Sequence, residues 1–373
     1  MISVRNAGYG SQNNKCAPNG TEWTKSLMTT GANAVHNDNG IWVCASDNGI
    51  YYSEDGYSWS LSNINEGTFF SIYYIKGIWI VSSNKSNASG IYYSSDGKNW
   101  NKTKLDIPYF NKIVYGKDRM FAISDDSLYV SLDGMSWSTS SKLTGINFKD
   151  IYYSDGLWMI APRYSNGLYY STDGYSWTKL FDDTTFNGVF CANGKWVSWS
   201  TSKNMPYYSV SGSSNWRVGN KVGAISFEKV DYINGTYYGL TDNDMCYSAE
   251  GENWLPCDIP INQFYPKSFY YANGIFVAGS TNAVYPGIYN STNGVSWVKC
   301  SNKETYGKFY YNNGTWIGLD NTPYGGLAYS KDAETWTYID FNSACNDVLY
   351  ANGMWVLCTS SGIFYSEGLQ PSI

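Results

Sequence analysis

The sequence predicts an all-β chain wound into a single β-propeller of nine four-stranded blades. Three features point there: a hairpin phrase that returns throughout the chain, a second phrase interleaved with it, and a last copy whose missing strand is found at the other end. The hairpin phrase is Gly49-Ile-Tyr-Tyr-Ser-Glu-Asp-Gly-Tyr-Ser-Trp59. It recurs at 90–100, 127–137, 167–177, 206–216, 244–254, 287–297 and 326–336, and in cut-off form at 362–368. A run of β-branched and aromatic residues, an Asp-Gly turn and a Trp three residues after the Gly read as two antiparallel strands joined by a tight turn.

The interleaved phrase supplies the two strands that come first in each unit. Tyr73-Tyr-Ile-Lys-Gly-Ile-Trp79-Ile-Val shows an aromatic strand, a tight turn and an apolar strand opened by a Trp. The other copies centre on Gly40 with Trp42, Gly156 with Trp158, Gly194 with Trp196, Gly235 with Tyr237, Gly274 with Phe276, Gly314 with Trp316 and Gly353 with Trp355; at Lys117-Asp-Arg-Met120 both the Gly and the aromatic are lost. Together the phrases place four short strands in roughly 39 residues, the period of a propeller blade.

The last copy, Ile363-Phe-Tyr-Ser-Glu-Gly368, provides a third strand and its turn, with no fourth strand before Ile373. Pro18-Asn-Gly20-Thr-Glu-Trp23 is what should follow such a turn, since Trp23 stands three residues after Gly20 as Trp59 does after Gly56. The N-terminal strand is therefore expected to complete the final blade, three strands from one end and one from the other, which removes the open edges of an unclosed ring. Residues 16–373 form the propeller in this reading, and residues 1–15 an N-terminal extension: an ordered lid, a flexible arm or an attachment to a partner.

Composition agrees with a fold held by packing. Aromatic residues make up 18% of the chain and charged residues 15%, so Trp and Tyr burial between blades has to stabilise the ring with little help from ion pairs. Of 16 Trp, all but Trp199 occupy the two repeat positions, which marks them as core. The net charge of −6 and the lack of any basic run exclude a nucleic-acid backbone as partner. No stretch approaches 18 consecutive apolar residues, so membrane insertion is not expected, and the opening Met-Ile-Ser-Val-Arg-Asn-Ala-Gly lacks the plan of a secretory leader. Cytoplasmic synthesis follows as the expectation. Eight cysteines without a CxxC pair read as reduced, half-buried thiols, and a single histidine, His36, supports neither a zinc site nor a Ser-His-Asp triad. No cofactor and no metal are expected.

In a four-stranded blade the first and third turns share one face. Here those turns are short and nearly constant, so the opposite face, with its variable connections, is where a ligand is expected. The connections Ser82 to Ala88, Ala161 to Asn166, Trp199 to Pro206, Ser280 to Pro286 and Asp320 to Gly325 are long, as are Phe181 to Phe186 and Leu255 to Pro266 between blades. Their non-repeat aromatic, basic and thioether residues, Arg163, Tyr164, Trp199, Met205, Tyr285 and Tyr324, are the candidate ligand contacts. Aromatic rings flanked by amides and carboxylates suit a sugar.

The phrase SxDGxxW, as in Ser53-Glu-Asp55-Gly56-Tyr-Ser-Trp59 and Ser171-Thr-Asp173-Gly174-Tyr-Ser-Trp177, resembles the Asp-box or BNR repeat of sialidase-like propellers over nearly the whole chain, with one residue fewer between Asp and Gly. The resemblance implies that Asp55, Asp96, Asp133 and Asp173 close their own turns and are structural. Sialidases also use three arginines, a Tyr and Glu pair and an acidic Asp. With Arg5, Arg119, Arg163 and Arg217 as the only arginines, that constellation is not supplied. Other Asp-box glycosidases use two carboxylates, and Asp182, Asp183, Asp242, Asp244 and Asp320 lie in suitable connections. Tyr- and Asn-rich arrays of this style also resemble propellers of bacteriophage tail and fibre regions. The expected function is thus a non-enzymatic binding or structural module, a virion-associated tail or baseplate component that recognises a cell-surface glycan or protein receptor and contacts other tail proteins. The alternatives are an Asp-box glycoside hydrolase and a protein-binding scaffold.

Overall fold

In the computed structural model the described residues are 5–6, 20–83, 89–105, 110, 112–124, 126–140, 143, 146–220, 227–241, 243–260, 264–280, 286–301 and 307–367. Their strands pair antiparallel in nine four-stranded sets, spanning residues 32–61, 71–102, 112–139, 148–180, 186–218, 227–256, 266–299, 308–340 and 345–367, the last completed by Thr24–Lys25. These are blades 1 to 9. Strand Thr178–Ala192 serves two of them, as the fourth strand of blade 4 and the first of blade 5. The connection Phe181 to Phe186, expected as a loop, is therefore continuous strand, because Asn166 pairs with Thr185 and carries the ladder across the gap.

Apolar burial lies between the blades. Nine clusters of buried side chains each unite two neighbouring blades, and each blade contributes to two clusters. Nine blades in an open row would share one interface fewer, so the clusters themselves describe a closed ring. The closing interface packs Val356 and Cys358 of blade 9 against Trp42 and Cys44 of blade 1. Seven described cysteines are free thiols, six of them buried and Cys300 half-buried; Cys16 lies outside the described residues.

The two chain ends build the ninth blade jointly. Thr24 pairs with Tyr365 and Lys25 with Phe364, and Ser26 N–H donates to Ile363 O at 2.9 Å. Its turn is also split: Gly20 N–H donates to Ser366 Oγ at 2.9 Å, the bond that Gly56 N–H makes to Ser53 Oγ at 2.8 Å within one chain segment. Trp23 Nε1–H returns to Gly20 O at 3.2 Å, and the ring is 3% exposed. Beyond this strand Arg5–Asn6 pairs parallel with Thr24–Lys25.

The third turn repeats one hydrogen-bond pattern in blades 1, 2, 3, 4, 7 and 8. Asp55 Oδ1 accepts from Tyr57 N–H and Ser58 N–H, each at 2.8 Å, and from Ser53 Oγ at 2.9 Å; Asp96, Asp133, Asp173 and Asp332 do the same in their turns. The Trp that follows donates its indole N–H to the turn carbonyl, as Trp59 does to Gly56 O at 3.1 Å, except Trp177, whose Nε1–H has no partner among the described residues. Gly56 adopts φ 80°, and a Cβ there would meet Met354 Sδ at 2.6 Å, so both backbone and space call for Gly. Amides donating to the carboxylates favour the charged form. The Ser176 and Tyr175 amides hold Asp173 down at about 2, and the Thr335 and Glu334 amides hold Asp332 below its ordinary value. At Asp55, Asp96 and Asp133 partial burial pushes the other way and is outweighed by the same kind of amide contacts. In blade 7 the role falls to Asn293, whose Oδ1 accepts from Val295 and Ser296.

Two predictions follow from closure and turn chemistry. Replacing Trp23 by Ala should cost about 3–5 kcal/mol, as for a fully buried ring, and lower the thermal midpoint more than Trp59→Ala, whose ring is half-buried; equal losses would deny Trp23 its closing role. Folded-state carboxyl values below the unfolded 3.8 contribute stability present above that pH and lost as pH falls toward about 2. A variant with Asn at positions 55, 96, 133, 173 and 332 should lose less stability over that interval than the parent, as measured by melting at each pH, since Asn keeps the acceptor and does not titrate.

Candidate functional site at the propeller axis

First strands of neighbouring blades lie side by side around the axis, as Ala32–Asp38 does with Ser71–Ile75 and with Cys345–Ala351. One edge of each pairs with its own blade, and the other leaves N–H and C=O groups toward the neighbour, an arrangement that calls for side-chain partners. Asn residues near the start of three of these strands supply them: Asn33 Nδ2 donates to Phe69 O at 2.9 Å, Asn187 to Phe227 O at 3.1 Å and Asn346 to Ala32 O at 2.8 Å. One position further on, two carboxylates do the reciprocal job. Asp150 Oδ2 accepts from Val189 N–H, and Asp347 Oδ2 from Val35 N–H, both at 3.1 Å. Asp150 also binds Lys112 Nζ at 2.7 Å, and Asp347 binds the Tyr310 hydroxyl at 2.8 Å.

Between blades 3 and 6 the axial wall opens into a cavity of about 470 Å³. Its wall on blades 3 and 4 carries Lys112, Lys149, Asp150 and Tyr152, and its wall on blade 6 carries Glu228, Lys229 and Asp231. Blade 5, between them, contributes Asn187, Phe190 and Trp199. Ion pairs join Lys112 to Asp150 at 2.7 Å and Lys229 to Asp231 at 2.6 Å. Tyr152 and Phe190 stand with centroids 5.5 Å apart and planes at 61°, so they present two differently directed apolar surfaces. Burial pushes the Tyr152 phenol up, with Cys191, Asp150 and Asp231 adding to the shift, and its hydroxyl donates to Cys191 O at 3.3 Å.

Gly188 makes the room. It pairs with Trp199 at the position that Asp150 and Lys229 hold in the flanking blades. A Cβ on Gly188 would lie 2.5 Å from Trp199 Cζ2. The indole therefore lies over the glycine, edge-on to Phe227 at 6.0 Å, and is 3% exposed. Its Nε1–H has no hydrogen-bond partner among the described residues.

Of the five candidate contacts among the described residues, the structure brings only Trp199 to this cavity, and places it on strand Lys195–Ser200, not in a connection. Met205 likewise opens strand Met205–Ser209 and packs against the core between blades 4 and 5. The connection between them shrinks to residues 201–204 because Ser200 pairs with Met205. Arg163 and Tyr164 sit at the rim of blade 4, with the guanidinium 5.9 Å from the Tyr164 ring, which is 73% exposed. Tyr324 is 83% exposed on blade 8, four blades away around the ring, so these residues form no common site. Tyr285 and Asp242 lie outside the described residues. Among the remaining acids, Asp182 pairs with Lys179 and Asp183 with Lys203, Asp320 accepts from Thr322 N–H at 2.9 Å, and burial pushes the Asp244 carboxyl up against one Met245 amide contact. No group of three His, Cys, Asp or Glu among the described residues is arranged to hold a metal.

The cavity residues other than Trp199 were hidden inside the repeat. Their signal was a charge at one register position, where Ala34, Ser71 and Ser268 stand in blades 1, 2 and 7 and Lys112, Asp150 and Lys229 stand here, though Lys308 and Asp347 hold the same position in blades 8 and 9.

No family model and no curated protein matches the sequence. Among solved structures, the computationally designed Ika8 protein is similar with a TM-score of 0.53 at 8% identity, over 92% of this chain and 98% of its own. Sqt1 of Saccharomyces cerevisiae is similar with a TM-score of 0.53 at 9% identity, over 87% of this chain and 99% of its own. YCF48 of Cyanidioschyzon merolae gives 0.48 at 10% identity, over 94% and 99%. Likeness to Sqt1, a β-propeller, agrees with the all-β propeller described above and concerns the fold alone.

Substituting Gly188 by Ala should force the Trp199 ring to move and cost about 1–3 kcal/mol by overpacking. The expected readout is a lower melting temperature with altered intrinsic Trp fluorescence; leaving both unchanged would contradict the close packing.

Proposed function

We propose that the chain is a non-enzymatic binding propeller whose ligand enters the axial cavity between blades 3 and 6, and that it serves as a receptor-binding component of a phage tail or baseplate, recognising a cell-surface carbohydrate. The observation that carries the reading is the make-up of that cavity: the half-buried rings of Tyr152 and Phe190, backed by the buried Trp199, beside an amide and both signs of charge. Rings cover the C–H faces of a sugar while amides and carboxylates bind its hydroxyls. Three lysines face three carboxylates, so the site sums to zero charge and gives no general attraction to a polyanion.

A binding role is favoured over hydrolysis by how the carboxylates are used. Asp150 has one oxygen on Lys112 and the other on Val189 N–H, and Asp231 is paired with Lys229. Glycoside hydrolysis needs two carboxyl groups free to act on opposite sides of the scissile bond. The virion setting rests on the resemblance of the repeats to tail-fibre propellers.

A glycan array and a hydrolysis screen on one purified sample test this proposal. Retention of a glycan without turnover is expected, weakened about tenfold or more by Phe190→Ala, measured at a temperature where circular dichroism shows the variant folded. Turnover of any glycan would overturn the non-enzymatic reading, and silence in both assays would favour a protein partner instead.

A further inference from the structure

We infer that the group recognised in the axial cavity is a zwitterion, its anionic part held by the wall of blades 3 and 4 and its cationic part by the wall of blade 6. This rests on the binding role proposed above and names the chemistry of the part bound. The lysines and carboxylates sum to zero over the whole cavity, but they are not mixed. Lys112, Lys149 and Asp150 give the first wall one net positive charge, and Glu228, Lys229 and Asp231 give the opposite wall one net negative charge. Blade 5, between the two walls, contributes no charged side chain to the lining. Ion pairs remain within each wall, Lys112 with Asp150 and Lys229 with Asp231. Lys149 on one side and Glu228 on the other stand outside both pairs, at the same register position two blades apart.

A cavity polarised in this way discriminates by charge arrangement. An anion alone gains on one wall and loses on the other, as does a cation alone. A ligand carrying both, spaced across blade 5, gains on both walls, and its connecting carbons meet Phe190 and the Tyr152 edge. The low dielectric of a recessed, partly aromatic site strengthens these contacts relative to open water. Asn187 is fixed to Phe227 O at 3.1 Å and approaches Glu228 Oε1 at 3.5 Å, which orients the carboxylate at the negative wall.

Isothermal titration calorimetry at about 50 mM salt, where screening is moderate, tests the inference. The probes are two zwitterions of different span, phosphocholine and 6-aminohexanoate, the half-molecules methyl phosphate and choline, and glucose as a neutral sugar. At least one zwitterion is expected to bind about tenfold or more tightly than either half-molecule and glucose. Lys149→Glu and Glu228→Lys should each weaken it about tenfold, and the double variant, with the polarity reversed, should recover most of the loss. That recovery is one that general structural damage would not produce. Equal binding of glucose and zwitterion, unaffected by either substitution, would overturn the zwitterion assignment while leaving the binding role intact. Failure of every probe, together with a silent glycan array, would remove both.

Discussion

Closure of the ring is the constraint from which the other features follow. A row of four-stranded sheets packed face to face leaves an apolar face exposed at each end, and the chain removes both by making one blade from its two ends. Thr24–Lys25 hydrogen-bond to strand Gly362–Glu367, Gly20 and Ser366 share a turn, and Trp23 fills the core between blades 8 and 9. Every blade then has two neighbours, and every apolar face a partner. The aromatic richness of the chain is used in these interfaces, where Trp42, Trp79, Trp158, Trp196, Trp316 and Trp355 are at most 2% exposed.

Once the repeat satisfies packing, chemistry can appear only where a blade departs from it without losing its interfaces. The inner edges of the first strands meet that condition. Bulges in blades 1, 4, 5, 6, 7 and 9 shift the register near the start of those strands, and Asn33, Asn187 and Asn346 at three of the bulges reach the adjacent blade. Some departures staple blade to blade, as Asp347 does between Tyr310 and Val35. Blades 3 to 6 add a further departure: Gly188 admits the Trp199 ring, and charges of opposite sign gather on either side of it.

Much of this was legible in the amino acids. The Asp-Gly turns, the Trp that closes each one and the pairing of the two ends could be read because their residue types recur at fixed spacing and have few physical alternatives. The axial site was not legible in the same way. Strand alternation says that Lys112, Asp150 and Lys229 share a face, yet whether that face meets a core, a neighbour or the axis depends on how the blades are arranged in space. Trp199 was singled out as the Trp outside the repeat, but its place was misjudged: the strand runs past it to Ser200, so it walls the axial cavity and does not rise from a loop. Phe181 to Phe186 misled for a related reason, since a segment without a turn residue extended the ladder through Asn166 and Thr185.

The joining of the two ends is the claim most open to direct measurement. Hydrogen–deuterium exchange of the native protein, followed residue by residue, reports whether Thr24, Lys25 and Ser26 exchange together with Phe364 and Tyr365 as one cooperative unit. Matched slow exchange on both segments is the predicted result. Rapid, unprotected exchange at 24–26 beside slow exchange at 354–366 would contradict a ring closed by its own N-terminal strand.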